Sequence, residues 1–236
     1  MEQAREWIRR ASRVVALTGA GISAESGIPT FRGAGGLWKQ FRPEELATPE
    51  AFARDPKLVW EWYDWRRCRI AEAVPNPGHT ALAELEKKKA AFTLVTQNVD
   101  GLHERAGSRS VMKLHGDIWL VRCTACGREG RNDGAPLDEI PPRCECGGLL
   151  RPGVVWFGEA LPARVLSEAQ EAAQSAEVFL VVGTSAVVYP AAGLVPLAKS
   201  AGAKVIEINL EETPFSSSVD CSLRGKSGEL LPQLIA

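Results

Sequence analysis

Short runs of consecutive apolar residues recur along the chain, and most are followed by a segment with helical periodicity. Uninterrupted apolar runs of this kind are typical of strands buried on both faces of a parallel sheet. We predict such strands at residues 13–17, 91–96, 178–182 and 204–208. We predict helices at residues 2–12, 80–88, 164–174 and 189–199. The alternation predicts an α/β fold in which helices cover both faces of a parallel sheet.

Two stretches interrupt this alternation. Residues 33–78 are rich in aromatic and charged residues and have a helical pattern with no obvious strand. Residues 117–152 contain four cysteines among Gly and Pro, with little periodicity. Both lie on connections between predicted strands, so we expect them to form a small lobe over the sheet. The larger part then comprises residues 1–32, 79–116 and 153–236, and the whole chain is one domain.

Composition and charge exclude several classes of protein. The chain has 236 residues, 45% of them hydrophobic, which is enough for a sizeable core. Its 28 basic and 29 acidic residues nearly cancel, which argues against a broad nucleic-acid surface. Residues 178–198 are uncharged and long enough for a membrane span, but Gly, Pro, Thr and Ser interrupt them. We expect no nucleic-acid or membrane partner, and the charged N-terminus predicts a cytoplasmic location rather than secretion.

A glycine-rich loop follows the first predicted strand. Gly19, Gly21 and Ala24 fit the G-x-G-x-x-G/A pattern of dinucleotide-binding loops. In that pattern Gly19 permits a tight turn, Gly21 allows a pyrophosphate close to the backbone, and Ala24 lets a helix pack near the strand. A glycine-rich turn with no ligand is the alternative. Phe31 and Arg32, at the C-terminal end of this segment, are not found in the dinucleotide-binding loop of an ordinary hydride-transfer enzyme.

Polar residues follow three of the predicted strands. They occupy positions 97–100, 183–185 and 209–211. In an open α/β sheet, ligands bind beyond the carboxyl ends of the strands. Each segment alone is a plausible loop cap, but their recurrence beside the glycine-rich loop predicts one shared nucleotide site.

Four of the six cysteines, Cys123, Cys126, Cys144 and Cys146, lie close together in the sequence. Two knuckles at this separation can hold one zinc ion tetrahedrally, and four thiolates leave no open position, so the metal is predicted to be structural. The second knuckle is C-x-C, and we expect Gly147 and Gly148 to relieve its tight turn. The alternatives are unliganded cysteines in a loop and a nucleic-acid-binding ribbon, which the mixed flanking charges disfavour.

The motifs, in their order along the chain, resemble those of the sirtuins, which are NAD-dependent protein-lysine deacylases. They are Gly19 to Ser23, Phe31-Arg32, Gln97 to Asp100, Lys113 to Gly116, the four cysteines, Val155 to Glu159, Gly183 to Ser185, and Asn209. The resemblance implies a Rossmann-like NAD-binding part and a small lobe built from a zinc module and a helical insertion. It also implies that NAD is consumed and that acyl-lysine proteins are the substrates, and we expect a monomer. The products would be nicotinamide, O-acyl-ADP-ribose and free lysine.

The resemblance also implies roles for individual residues. His115 would be the general base, since imidazole titrates near neutral pH. Asn98 and Asp100 would act in catalysis by holding the ribose and the nicotinamide amide, with Phe31 and Arg32 as a flap over nicotinamide. The implied NAD-binding residues are Gly19, Ala20, Gly21, Ser23, Ala24, Thr30, Phe31, Arg32, Trp38, Gln97, Asn98, Val99, Asp100, Gly183, Thr184, Ser185, Asn209, Leu210, Glu211 and Ser227. The peptide would pair with an edge strand formed by Val155, Trp156, Phe157, Gly158 and Glu159.

Tyr63 and Arg66 bear on the acyl group. Residues three apart share a helix face, and a phenol beside a guanidinium can clamp a carboxylate. The pair resembles the Y-x-x-R signature of class III sirtuins, which accept succinyl-, malonyl- and glutaryl-lysine, and Ala47 matches a small residue that widens their acyl pocket. The alternative is that Arg66 belongs to a solvated basic face beside packed tryptophans. From the resemblance to class III sirtuins we expect desuccinylase, demalonylase and deacetylase activity. An acetyl-preferring deacetylase, a mono-ADP-ribosyltransferase and a non-enzymatic NAD sensor are the alternatives.

Overall fold

A computed structural model describes residues 1–32 and 35–236 of the chain. The strands are β1 Arg13–Thr18, β2 Ala91–Thr96, β3 Val111–Lys113, β4 Gly116–Cys123, β5 Glu129–Arg131, β6 Leu150–Val154, β7 Val178–Val182, β8 Lys204–Asn209 and β9 Cys221–Arg224. The α-helices are α1 Glu2–Arg10, α2 Pro43–Leu46, α3 Pro49–Arg54, α4 Pro56–Glu72, α5 Pro77–Lys88, α6 Leu102–Arg105, α7 Ala163–Ser175, α8 Leu194–Ser200 and α9 Ser227–Ile235. Short 3-10 helices occupy Ala20–Ser26, Leu37–Lys39 and Ala191–Gly193.

Within the described residues, a six-stranded parallel sheet has the order β3-β2-β1-β7-β8-β9. The four predicted strands form its centre, which confirms the predicted α/β architecture. The edge strands β3 and β9 were not predicted, because they are short and mix polar with apolar residues. The helix predicted at 189–199 is wrong in part: the 3-10 turn Ala191–Gly193 precedes α8, because Pro196 has no N–H to donate to the Ala192 carbonyl in a continuous α-helix.

The central strands are buried on both faces, as their unbroken apolar runs predict. On β1, Val14 and Ala16 join a cluster with α1, α5 and α9, whereas Val15 and Leu17 join a cluster with α7 and α8. Side chains alternate between the faces of a strand, so one apolar run feeds both cores. Burying a leucine side chain such as Leu17 contributes about 1.5–3 kcal/mol.

A second, antiparallel sheet of order β5-β4-β6 packs against helix α4. Their shared core includes Trp60, Ile118 and Val154, and Nε1 of Trp60 donates a hydrogen bond to the carbonyl of Leu150 at 2.7 Å. The helical prediction for 33–78 is confirmed by α2, α3 and α4, although residues 33 and 34 lie outside the described residues. No strand was predicted in the cysteine-containing segment, yet most of β4, β5 and β6 lies there.

In the described part of the chain, no helix combines the length and apolarity that a membrane span needs. The uncharged stretch at 178–198 contains β7, a turn, the 3-10 helix Ala191–Gly193 and most of α8.

Candidate active site

The carboxyl ends of β1, β2, β7 and β8 open into a cavity of about 490 Å³, whose other wall is the α4 helix and the end of β6. Most of the predicted NAD- and substrate-binding residues line it. They are Gly19, Ala20, Gly21, Ala24, Thr30, Phe31, Arg32, Trp38, Ala47, Arg66, Gln97, Asn98, Val99, His115, Val155, Trp156, Phe157, Gly158, Glu159, Gly183, Thr184, Ser185, Asn209, Leu210 and Glu211. Segments far apart in sequence therefore meet at one edge of the sheet.

Four of the predicted NAD- and substrate-binding residues do not line this cavity: Ser23, Tyr63, Asp100 and Ser227. The first three are buried directly behind it. Ser227 instead opens α9, where its backbone lies beside Gly78. A serine in a glycine-containing segment gives no sequence signal that separates a ligand contact from a helix start.

Further lining residues went unpredicted. They are Trp62, Val154, Leu161, Val188, Tyr189, Pro190 and Glu212. Tyr189 is 68% exposed at the cavity mouth, on the segment between β7 and α8. Most of these residues are next to a predicted motif in the sequence, and this adjacency could have indicated that they line the cavity.

Glycine is required in the loop after β1 because backbones meet there. A Cβ on Gly21 would lie 2.7 Å from Cα of Gly183, and one on Gly19 would lie 2.7 Å from Cβ of Thr184. Gly19 has extended backbone at φ −131°, and its carbonyl accepts the Ile22 amide at 3.2 Å, so a tight turn begins there, but glycine is required for space rather than for its dihedrals. Gly183 has φ +58°, and its Cβ would lie 2.4 Å from the amide nitrogen of Ile22. The three glycines let the loop after β1 pack directly against the loop after β7, and they leave backbone exposed to the cavity.

A buried polar network lies beneath the cavity floor. Asn98 Nδ2 donates to the carbonyl of Gly19 at 3.1 Å and to Ser23 Oγ at 3.2 Å. Ser23 Oγ donates to Asp100 Oδ2 at 2.8 Å, and His79 Nε2 lies 3.3 Å from Ser23 Oγ. Burial raises the pKa of Asp100, although hydrogen bonds from the Leu102 amide and Ser23 act the other way. The network fixes the Asn98 amide at the cavity edge.

His115 lies on the turn between β3 and β4 and lines the cavity. Its Nδ1 is 3.0 Å from the carbonyl oxygen of Gln97. Burial lowers its pKa, and the Gln97 carbonyl acts in the opposite direction. The ring is therefore neutral near neutral pH, with Nε2 left as a proton acceptor. The other two histidines are buried in the interior: Nε2 of His103 lies 2.9 Å from Thr18 Oγ1, whereas its Nδ1 has no hydrogen-bond partner among the described residues.

The opposite end of the cavity is organised around Thr184. Gln97 Nε2 donates to its hydroxyl at 2.9 Å, and Asn209 Nδ2 donates to its carbonyl at 3.0 Å. Glu207, which was not predicted, is a buried carboxylate in the apolar run of β8 that holds the loop after β8 through Thr213 and Ser216. Burial would raise the pKa of Glu207, but hydrogen bonds from Ser222, Thr213, Ser216 and Arg224 leave it lowered. The position of Glu207, a charged residue within an otherwise apolar strand, could have indicated a structural role for its carboxylate.

Arg66 reaches the cavity from α4 among aromatic rings. Its guanidinium carbon lies 4.9 Å from the ring centroids of Phe31 and Trp62 and 5.7 Å from that of Tyr63. Arg66 is 8% exposed, and burial lowers its pKa, yet a guanidinium is charged at neutral pH. Within the described residues, no acidic side chain forms an ion pair or hydrogen bond with it. The alternative of a solvated basic face is therefore wrong for Arg66.

Residues 155–159 do not form the predicted edge strand. Strand β6 ends at Val154, and two residues without regular secondary structure and then a turn come after it. The Val155 amide donates to the His115 carbonyl and the Phe157 amide to the Ala47 carbonyl, each at 2.9 Å. These bonds hold the segment against the cavity wall, so a peptide would meet a turn at this place rather than a regular strand.

The four predicted zinc ligands form one cluster. Their sulfur atoms all lie within 4.8 Å of one another, with Sγ atoms 3.5 Å apart for Cys123–Cys146 and 3.8 Å for Cys126–Cys144. Tetrahedral zinc with ~2.3 Å bonds requires sulfur separations of about 3.8 Å, so the donor set fits the ion. Amides of Cys126 and Ala125 donate to Cys123 Sγ and help lower its pKa to about 6.

The two glycines after the second knuckle have different functions. Gly147 has φ +83°, which is the unusual dihedral expected there. A Cβ on Gly148 would lie 2.7 Å from Cβ of Ala125 and 2.9 Å from Sγ of Cys123. Gly148 is therefore needed for space beside the metal ligands rather than for its dihedrals.

Comparisons with known proteins match this arrangement. Residues 19–190 match the Sir2 family. The chain is 63% identical over 215 residues to the NAD-dependent protein deacylase of Aquifex aeolicus (strain VF5), covering 91% of this chain and 90% of that protein.

Solved structures show the same likeness. A Sir2 homolog–NAD complex superposes with a TM-score of 0.94 at 53% identity, covering 100% of this chain and 92% of the other. A Sir2 protein with a deacetylated p53 peptide and 3'-O-acetyl ADP ribose has a TM-score of 0.93 at 33% identity, covering 100% and 97%.

Proposed function

The chain belongs to the Sir2 family and is an NAD-dependent protein deacylase, and on that premise we propose that it removes succinyl and malonyl groups, as well as acetyl groups, from protein lysines. NAD supplies the ADP-ribosyl group that accepts the acyl group, with loss of nicotinamide. We assign NAD binding to residues 1–32, 79–116 and 153–236, and the helical insertion and zinc module to 33–78 and 117–152. We propose that it acts as a monomer.

We assign the general-base role to His115. Its position in the cavity wall, its Nδ1 contact to the Gln97 carbonyl and its lowered pKa support this role. With Nδ1 committed as a donor, Nε2 accepts a proton from a ribose hydroxyl. Imidazole in this state needs no prior deprotonation at neutral pH.

Asn98 is assigned to contact the ribose or nicotinamide amide directly, because it lines the cavity. Asp100 is assigned a supporting part, because it lies behind the cavity and accepts the Ser23 hydroxyl. Phe31 and Arg32, together with Trp38, surround the nicotinamide end in this proposal. The ring centroids of Phe31 and Trp38 are 5.1 Å apart, which gives that end an apolar wall.

The acyl preference rests on one observation: the Arg66 charge is buried in the cavity wall without an anionic partner in the described residues. An unpaired buried charge is costly. A carboxylate at the end of a succinyl or malonyl group would supply the missing partner through a bidentate hydrogen-bonded pair. Ala47, which also lines the cavity, leaves room for a group larger than acetyl.

The test compares one peptide carrying either succinyl-lysine or acetyl-lysine, with mass spectrometry of free lysine and O-acyl-ADP-ribose. Arg66→Met should lower kcat/KM for succinyl-lysine by about 10²-fold or more, since a charge-assisted bidentate pair contributes several kcal/mol. The loss for acetyl-lysine should be much smaller. Arg69→Met is the matched control, because Arg69 lies one turn along α4, exposed and stacked on Trp65. Equal losses on both substrates would refute the acidic-acyl proposal and favour an acetyl-preferring deacetylase.

A further inference from the structure

A hydrogen bond joins two buried aromatic side chains behind the acyl end of the cavity. Nε1 of Trp156 donates to the hydroxyl oxygen of Tyr63 at 3.0 Å. Trp156 is 3% exposed and lines the cavity, and Tyr63 is 2% exposed and lies behind it. The two residues are far apart in sequence, on the segment after β6 and on α4. Neither the glycine loop nor the general base involves this contact.

The Trp156 indole is held from several sides. The guanidinium carbon of Arg151 lies 3.6 Å from its ring centroid. Arg151 in turn forms a bidentate pair with Glu159 at 2.6 and 2.9 Å. Glu159 also accepts the Trp156 amide at 2.8 Å, and the Phe52 ring centroid is 5.3 Å away. The indole N–H therefore has a fixed direction.

This arrangement decides what the Tyr63 hydroxyl can do. Indole nitrogen only donates, so the Tyr63 oxygen is an acceptor in this bond and its own hydrogen points elsewhere. Burial raises the pKa of Tyr63, although Arg66 and the Trp156 hydrogen bond act the other way, so the phenol stays protonated at neutral pH. Within the described residues, no acceptor is found for that hydrogen, and Arg66 lies beside the ring.

We propose that Trp156 is a positioning residue for acyl specificity, which orients the Tyr63 hydroxyl through its indole N–H as a donor to the carboxylate of an acidic acyl group. The inference rests on the acidic-acyl function proposed above. Arg151 and Glu159 support it by fixing the indole plane. The Tyr63 hydroxyl then adds one donor to the bidentate Arg66 pair, and the lone pairs of a carboxylate can accept all three hydrogen bonds.

Trp156→Phe tests the inference, because it keeps an aromatic ring and removes the N–H. The ratio of kcat/KM for succinyl-lysine to that for acetyl-lysine should fall by roughly fivefold to tenfold, the effect of one hydrogen bond. The change should lie mainly in KM for the succinyl peptide. Trp7→Phe on α1 is the matched control and should leave the ratio unchanged, since Trp7 contacts Lys204 far from the cavity.

A double-mutant cycle separates orientation from packing. Tyr63→Phe should lower the ratio by itself, and adding Trp156→Phe should then lower it no further, because the hydroxyl is already absent. Additive losses would mean that Trp156 acts by packing alone and would overturn the inference. If Trp156→Phe does not fold, Arg151→Met serves instead: it frees the indole and should lower the same ratio, and an unchanged ratio would count against the inference.

The two proposals fail in different ways. If the wild-type enzyme has no succinyl-lysine activity, the acidic-acyl function itself is wrong. If it has that activity and Arg66→Met removes it, while folded Trp156→Phe keeps the wild-type ratio, only the positioning role is wrong.

Discussion

Nδ1 of His115 lies 3.0 Å from the carbonyl oxygen of Gln97, the residue that follows β2. A carbonyl oxygen only accepts hydrogen bonds, so this contact places the imidazole hydrogen on Nδ1 and leaves Nε2 free to take a proton. The end of one central strand thereby selects the tautomer of the proposed general base on a neighbouring turn.

The lowered pKa of His115 predicts the acid limb of the pH–rate profile. Because the base must be neutral to work, kcat should fall on acidification with a midpoint below the ordinary histidine value of about 6.5. His115→Ala should reduce free-lysine formation by about 10²-fold or more. Initial rates of deacylation measured from about pH 5 to about pH 8 provide the check. A midpoint above the ordinary value would contradict the assignment.

The two buried histidines predict acid destabilisation of the fold. Burial lowers the pKa of His79 to about 4 and that of His103 to about 3, with the His79 and Lys113 charges adding to the effect on His103. The unfolded chain binds protons below about pH 6.5 while the native state does not. The contribution of the two neutral histidines to the free energy of unfolding is therefore fully present above that pH. It falls as the pH drops toward 4, by up to about 1.4 kcal/mol per histidine per pH unit.

Denaturant unfolding at a series of pH values measures this slope. His103→Gln, which removes one titrating group, should flatten it even if the variant is less stable at neutral pH. A slope unchanged in this variant would show that other groups carry the acid sensitivity.

The cysteine cluster predicts one tightly bound zinc ion per chain. Removing it with a chelator should unfold the module around β4, β5 and β6, since metal binding and folding are linked at such sites. Cys126→Ser should lose zinc and stability, whereas Cys221→Ser on β9 should keep both. Metal analysis and thermal unfolding, with and without chelator, give the readout, and full stability of a zinc-free protein would contradict the prediction.

The contact between Gly183 and the loop after β1 predicts a large cost for a single methyl group. Gly183→Ala combines a positive φ with a Cβ placed 2.4 Å from the Ile22 nitrogen, so the loop must shift. We expect a loss of about 2–4 kcal/mol in unfolding free energy and a raised KM for NAD. Gly202→Ala is the control, because Gly202 has φ +95° with open space around it, and it should cost only about 1 kcal/mol.

Local sequence pattern is sufficient to predict the central strands of the sheet. The run Val14 to Leu17 and the run at β7 predicted central strands because both faces of such a strand need apolar residues. Edge strand β9 was not predicted, because only every second residue in it is partly buried and it has no continuous apolar run. Strands β4 to β6 were hidden among the cysteine, glycine and proline residues of the metal module.

The sequence by itself determined the parallel sheet, the cysteine cluster and the chain order of the motifs, because these depend on residue type and spacing. Only the tertiary structure decided which motif residues face the cavity. Asp100 and Tyr63 lie behind it, and Arg66 enters it unpaired. The bond from Trp156 to Tyr63 could not be foreseen either, because it joins segments whose approach depends on how α4 packs against β6, and no local pattern encodes that distance.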